Sequence, residues 1–109
     1  MFARIVEFIP KSDKKEEVIS VLRRDVLPIL KRQAGFLEFL PLVPENAQDK
    51  LIAISIWAEK TEADRYEREA FPKVEGILKP YLTSSVTCKH YNVETSLCQH
   101  LAESLWSEV

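Results

Sequence analysis

Two hydrophobic periods run through the chain, the two-residue alternation of strands and the three-to-four-residue step of helices, and their switch points predict its elements. Residues 2–9, FARIVEFI, are rich in aromatic and β-branched types and stop at Pro10, which predicts a first strand. Val18, Val21, Leu22, Val26, Ile29 and Leu30 then recur at helical spacing. Ser12 or Asp13 is the expected cap of that helix, with Glu16 three residues after Asp13 to reach back to it. Pro28 lies inside the stripe, removes a backbone donor and crowds the preceding turn, so a kink or a break is expected near residues 25–27. Gly35 ends the segment as a residue able to take positive φ. FLEFLPLV (36–43) predicts a second strand, confined by Pro41 to an edge or a bulge. A polar turn, PENAQD, joins it to LIAISIW (51–57), the clearest strand in the chain, as a hairpin.

Thr61-Glu62-Ala63-Asp64 fits a capping box, so a second helix is expected over 62–70 with Ala63, Tyr66 and Ala70 on one side. Pro72 suits the first turn of a restarted helix, whose stripe of Val74, Ile77 and Leu78 ends at Pro80. SVTCKHYNV (85–93) alternates and predicts a fourth strand. Over 96–108, Leu97, Leu101 and Leu105 step by four and predict an amphipathic helix, too short to stand alone, that docks on its own domain or on a partner subunit.

The order β-α-β-β-α-β is the split βαβ, ferredoxin-like pattern: an α+β sandwich in which right-handed crossovers set the helices on one face of a four-stranded antiparallel sheet. The other face should then be polar, yet the first three strands are apolar at nearly every position on both faces. Phe2, Val6 and Phe8 point one way, Ala3, Ile5 and Ile9 the other. A soluble monomer rarely exposes such a surface, so a homodimer pairing the two sheets face to face is expected, with the C-terminal helix as the alternative cover.

At 109 residues, 46% hydrophobic and 29% charged, the chain has the size and balance of one globular domain, expected at 1–95 with the helical segment 96–109 added. Fifteen basic and seventeen acidic residues are interspersed, which leaves no basic stripe for nucleic acid. The opening MFARIVEFIPK lacks a signal peptide's basic stretch and cleavage site, and no apolar run approaches the roughly 20 residues that span a bilayer. A cytoplasmic protein without a membrane partner is expected. Cys88 and Cys98 lack CxxC spacing and read as reduced, apolar residues.

The candidate chemistry is sparse. Cys88-x-His90 and Cys98-x-His100 look like metal ligands, but on a helix Cys98 and His100 would lie about 200° apart, so no metal site is expected. His90 has the intrinsic pKa of an acid or base and shares a strand face with Cys88 and Asn92; a hydrogen-bonded surface histidine is the bland reading. Arg4 shares its face with Phe2, Val6 and Phe8. If that face meets the helices, Arg4 lines a pocket and can hold an anionic or enolate ligand; if not, it pairs across the dimer. Tyr66 and Phe71 project from an apolar helix face, and Trp57 ends the third strand as a packing residue. The run 64–69, DRYERE, offers Asp64 to Arg68 at i,i+4 and reads as a solvated helix face.

Ala34-Gly35-Phe36-Leu37, Ile56-Trp57-Ala58-Glu59-Lys60 and Tyr66-Glu67-Arg68-Glu69-Ala70-Phe71-Pro72 form a series that resembles the antibiotic-biosynthesis monooxygenase (ABM) domain family of the dimeric α/β-barrel superfamily, over roughly residues 2–93. The resemblance implies the same fold and dimer, with a pocket between sheet and helices. Some members of that family oxidise aromatic, polyketide-like substrates with O₂ and no metal or flavin, and others degrade haem. The haem-degrading pattern of an Asn on strand 1, a Trp on helix 2 and a following His meets Ile5 or Val6, Tyr66, and Glu75 or Ile77 here, so haem degradation is not implied.

The expected function is a cofactor-independent monooxygenase acting on an enolisable or aromatic substrate, with Tyr66, His90 and Arg4 as catalytic candidates, Val6, Phe8, Trp57, Phe71 and Leu78 lining its pocket, and no cofactor. The alternative is a non-catalytic ligand-binding or structural homodimer whose pocket is filled by Phe8, Phe71 and Leu78.

Overall fold

The structure, a computed structural model, describes residues 1–98, so the helix expected over 96–108 lies mostly outside the described residues and only a 3-10 turn, Thr95–Leu97, is seen at its start. Four strands, β1 (Phe2–Phe8), β2 (Phe36–Leu42), β3 (Leu51–Trp57) and β4 (Thr87–Asn92), form one antiparallel sheet in the order β2-β3-β1-β4. The helices are α1 (Lys15–Val21), α2 (Leu27–Lys31), α3 (Lys60–Glu69) and α4 (Phe71–Leu78). This is the split βαβ arrangement that the order of patterns predicts.

Between α1 and α2 the backbone opens into a π-helical turn, Leu22–Val26, in which Leu27 N–H donates to the Leu22 carbonyl five residues back. Pro28 is the physical reason: it offers no N–H to the carbonyl one turn earlier and its ring crowds that carbonyl, so the chain widens instead of breaking. Neither predicted cap forms. A turn closed by Lys14 N–H on the Lys11 carbonyl leads straight into α1, so Lys14 takes the capping position in place of Ser12 or Asp13. Glu59, in extended backbone, begins α3 before Thr61, and its carbonyl receives the N–H groups of Glu62 and Ala63. Asp64 pairs with Lys60 at 2.8 Å, not with Arg68.

β1 lies between β3 and β4, and its register fixes which side chains share a face. Arg4 stands opposite Ser55 and His90, Val6 opposite Ala53 and Cys88, and Phe2 opposite Trp57 and Asn92. Phe2, Val6, Phe8, Leu51, Ala53 and Trp57 are buried with Val18, Val21, Leu22, Val26, Leu30, Tyr66, Phe71, Val74 and Leu78 from the helical side in one core. The face that carries Arg4 is therefore the helix-covered one. The opposite face presents Ile5, Ile52, Ile54, Leu40, Leu42 and Tyr91, and among the described residues Leu42 and Tyr91 are 49% and 51% exposed. A Glu7 to Lys89 ion pair at 3.3 Å lies on that side too. No described helix is long and apolar enough to cross a membrane.

Gly35 connects the helical segment to β2 with φ of +80°, the left-handed region that L side chains disfavour. Its carbonyl receives Ala58 N–H at 2.8 Å, and a Cβ added there would run into the Glu62 carboxylate. The β2–β3 register then shifts between Phe36 and Glu38, a bulge at Leu37, and Pro41 lies in a strand at the edge of the sheet, one of the two places expected for it. Gly35→Ala is expected to lower the unfolding free energy by about 1–2 kcal/mol from the left-handed backbone alone, with more from the clash. Denaturant unfolding checks this, and adding Glu62→Ala should restore only the clash component.

Candidate functional site

Arg4 is the one charged residue on the helix-facing side of β1, and it is 1% exposed. A guanidinium taken out of water needs every donor matched or its charge offset. Here its Cζ lies 4.5 Å from the centre of the Phe71 ring and 5.1 Å from that of Tyr66, so two aromatic faces carry part of the charge. Its Nη2 donates to Glu67 Oε1 at 3.1 Å and to Cys88 Sγ at 3.5 Å. Glu67 in turn lies 3.0 and 3.2 Å, through its two carboxylate oxygens, from His90 Nε2. The chain Arg4, Glu67, His90 thus runs from the core to the surface, where His90 is 38% exposed.

Three elements make this possible. Period-two alternation puts Arg4 on the inner face of β1, the β1–β4 register sets His90 beside it, and α3 crosses above with Tyr66 and Glu67 adjacent in sequence. α3 ends at Glu69, and after Ala70 the new helix α4 brings Phe71 back over the same guanidinium. The candidates Arg4, Tyr66 and His90 therefore come together, and Glu67 joins them. Glu67 escapes the sequence reading because DRYERE looks like a solvated surface. The signal for it is Arg4 itself, since an arginine in an apolar strand requires a carboxylate from a facing element.

Burial pushes the Tyr66 phenol up to about 12, against the pull of the Arg4 charge, so at neutral pH it is a donor and not a base. Glu67 shows the opposite balance: burial opposes its ionisation, but the Arg4 hydrogen bond and charge, with His90 beside them, outweigh it and hold the carboxyl below its ordinary value. Burial also pushes the Cys88 thiol up despite Arg4, which makes it a neutral partner of the guanidinium instead of a thiolate nucleophile.

Beneath the guanidinium is a cavity of about 30 Å³. Val6, Phe8, Phe71 and Leu78 line it, with Leu22 and Val26 from the π-helical turn, and Arg4, Ser55 and Tyr66 are its polar members. Trp57 is not on its wall. It is fully buried behind Tyr66, ring centres 5.0 Å apart, and its Nε1 donates to Ser55 Oγ at 2.9 Å, a role for Ser55 that the sequence does not announce. Arg4 Nε is buried without a hydrogen-bond partner among the described residues. Those residues contain no group of three or more His, Cys, Asp or Glu placed to hold a metal ion.

The model of the family described as "antibiotic biosynthesis monooxygenase" matches residues 1–70, well over half of the chain. The chain belongs to this family. No curated protein matches its sequence. Among solved structures, SnoaB of Streptomyces nogalater, described as a cofactor-independent oxygenase, is 18% identical with a TM-score of 0.72, the match covering 88% of this chain and 95% of that one. Rv0793 of Mycobacterium tuberculosis is 14% identical with a TM-score of 0.67, over 84% and 93% of the two chains. A conserved protein of Methanosarcina mazei Go1 is 16% identical with a TM-score of 0.70, over 86% and 94%. Likeness at this identity shows the ABM fold and leaves the chemistry to the residues of each site.

Glu67 gives the site a pH signature. Its folded pKa lies below the unfolded one, so its contribution to stability is present above about pH 4.3 and lost as pH falls through the folded value. Glu67→Gln is expected to lower stability at pH 7 by about 1 kcal/mol and to remove this component of the acid-induced loss, as followed by thermal unfolding from pH 7 to pH 3.

Proposed function

We propose that this ABM-family chain is a cofactor-independent monooxygenase that acts, as a homodimer, on a small enolisable or aromatic substrate between the sheet and the helices. The observation that carries this reading is the buried guanidinium of Arg4, which lines an apolar cavity and whose Nε–H has no hydrogen-bond partner among the described residues. A positive charge in a dry, apolar site favours ionisation of a weak carbon or phenol acid bound near it. Tyr66, as a phenol, donates to the oxygen of the resulting enolate. Glu67 and His90 carry the proton outward, from the buried end of the chain to solvent. The substrate anion itself then reduces O₂, and the methylene plus O₂ yields a carbonyl plus water. The description of SnoaB as a cofactor-independent oxygenase supports the same chemistry on this fold. The exposed apolar face of the sheet, with Leu40, Leu42 and Tyr91, supports the dimer.

One observation favours the second reading, a non-catalytic ligand-binding or structural homodimer. The cavity has about 30 Å³, with Phe8, Phe71 and Leu78 on its wall, whereas roughly 150 Å³ accommodates benzene. Turnover of an aromatic substrate therefore requires the wall to yield, and the π-helical turn Leu22–Val26 is the segment of that wall whose hydrogen bonding already departs from the α ladder.

Anthrone, which takes up one O₂ to give anthraquinone and water, separates the two. The expected result is oxygen consumption and anthraquinone formation above the buffer rate, reduced by about tenfold or more in Arg4→Met. No stimulation with anthrone or with quinols favours the structural dimer. Light scattering on the same sample should give twice the chain mass of 12.6 kDa, and a particle at the single-chain mass contradicts the dimer.

A further inference from the structure

We propose that the groove between the α1–α2 helical segment and the edge strand β2 is a seat for an aromatic carboxylic acid. This deepens the oxygenase reading by naming an acid as its substrate class, and that assignment rests on it, whereas the binding itself does not. The groove measures about 430 Å³, within the roughly 300–1,000 Å³ of small-molecule sites. It is a different space from the cavity that Arg4 lines, although Leu22 and Phe39 belong to both walls. On the helical side Ile19, Arg23, Leu27 and Lys31 line it at steps of four, so a cation stands about one turn to either side of Leu27. On the sheet side the bulge at Leu37 suspends the two-residue alternation, and residues 36–39 border the groove in succession.

What the two walls offer sets the chemistry of the ligand. Phe36 and Phe39 are half-buried rings that pack on the core and also border the groove. With Leu27 they give a flat ring system apolar contact and offset stacking. Arg23 and Lys31 are exposed and, among the described residues, belong to no ion pair, whereas the adjacent Arg24 is held by Asp25 at 3.0 Å. The one acidic residue described on the groove, Glu38, turns a carboxylate oxygen back to the Phe39 N–H at 2.9 Å. Two cations against one carboxylate leave the groove positive. A neutral ring would make no use of those charges and a bare anion no use of the rings, so the ligand that answers both is a ring carrying a carboxylate.

NMR titration of the full chain with 2-naphthoate, and with methyl 2-naphthoate as its neutral match, tests the seat. The acid should bind about fivefold more tightly than the ester, shift the amides of residues 36–39 and give nuclear Overhauser effects from its ring to the Leu27 methyls. The double variant Arg23→Gln/Lys31→Gln changes only exposed side chains and should bring the acid down to the affinity of the ester. Leu27→Gln should weaken acid and ester alike. Equal affinity for acid and ester in the parent, no loss in the double variant, or shifts centred on Ile5, Ile52 and Ile54 across the sheet each overturns the proposal. So does a double variant that sediments as a single chain where the parent sediments as a pair, which would make the groove a contact between copies. Acid binding without anthrone turnover would retain the seat and remove the oxygenase reading; anthrone turnover without preference for the acid would do the reverse.

Discussion

The charge of Arg4, buried on the helix-facing side of a central strand, constrains most of what surrounds it. Removing a guanidinium from water costs several kcal/mol even after relaxation, and the fold offsets that cost from three directions. α3 supplies the ring of Tyr66 and the carboxylate of Glu67 from adjacent positions, α4 supplies the ring of Phe71, and β4 supplies Cys88 and, one step out, His90. The break between α3 and α4 at Ala70, just before Pro72 in the first turn of α4, lets two successive helices each place an aromatic ring over one guanidinium. Trp57 and Ser55 then settle behind Tyr66, each satisfying the other's buried polar atom.

A charge held this way is an inefficient route to stability. An apolar side chain at position 4 would join the core without a counter-ion, and the unpartnered Nε is a donor left unmatched in the interior. The arrangement makes sense if the charge is used, and on the proposed oxygenase reading it stabilises negative charge on the bound substrate. The opposite face of the sheet poses a simpler problem. Leu40, Leu42 and Tyr91 lie on an apolar surface that a second copy of the chain would remove from water. On the proposed reading the two faces divide the labour, one for assembly and one for chemistry.

Much of this was legible in the chain. LIAISIW gave β3 at its observed limits, and parity alone placed Arg4 with Phe2, Val6 and Phe8, and His90 with Cys88 and Asn92. Which face met the helices was not legible, because β1 and β3 are apolar on both sides and a period of two carries no sign. The caps failed for a local reason: Asp13 and Thr61 have the right chemistry, but the backbone at Lys14 and Glu59 was already shaped for a helix start by the preceding turn and strand. Pro28 announced a disturbance without its form, since a kink and a π-helical turn answer the same missing donor. Glu67 was hidden by its charged neighbours, and Ser55 by its smallness. Both are intelligible only from the group each one serves.

The most direct measurement is the unfolding free energy of the double variant Arg4→Met/Glu67→Leu, which replaces the pair by apolar side chains of similar volume. If the charge is kept for function, stability should stay within about 1 kcal/mol of the parent or rise. A loss of about 3–5 kcal/mol would mean that Arg4 holds the fold together, and would contradict the view that it is there to act on a ligand.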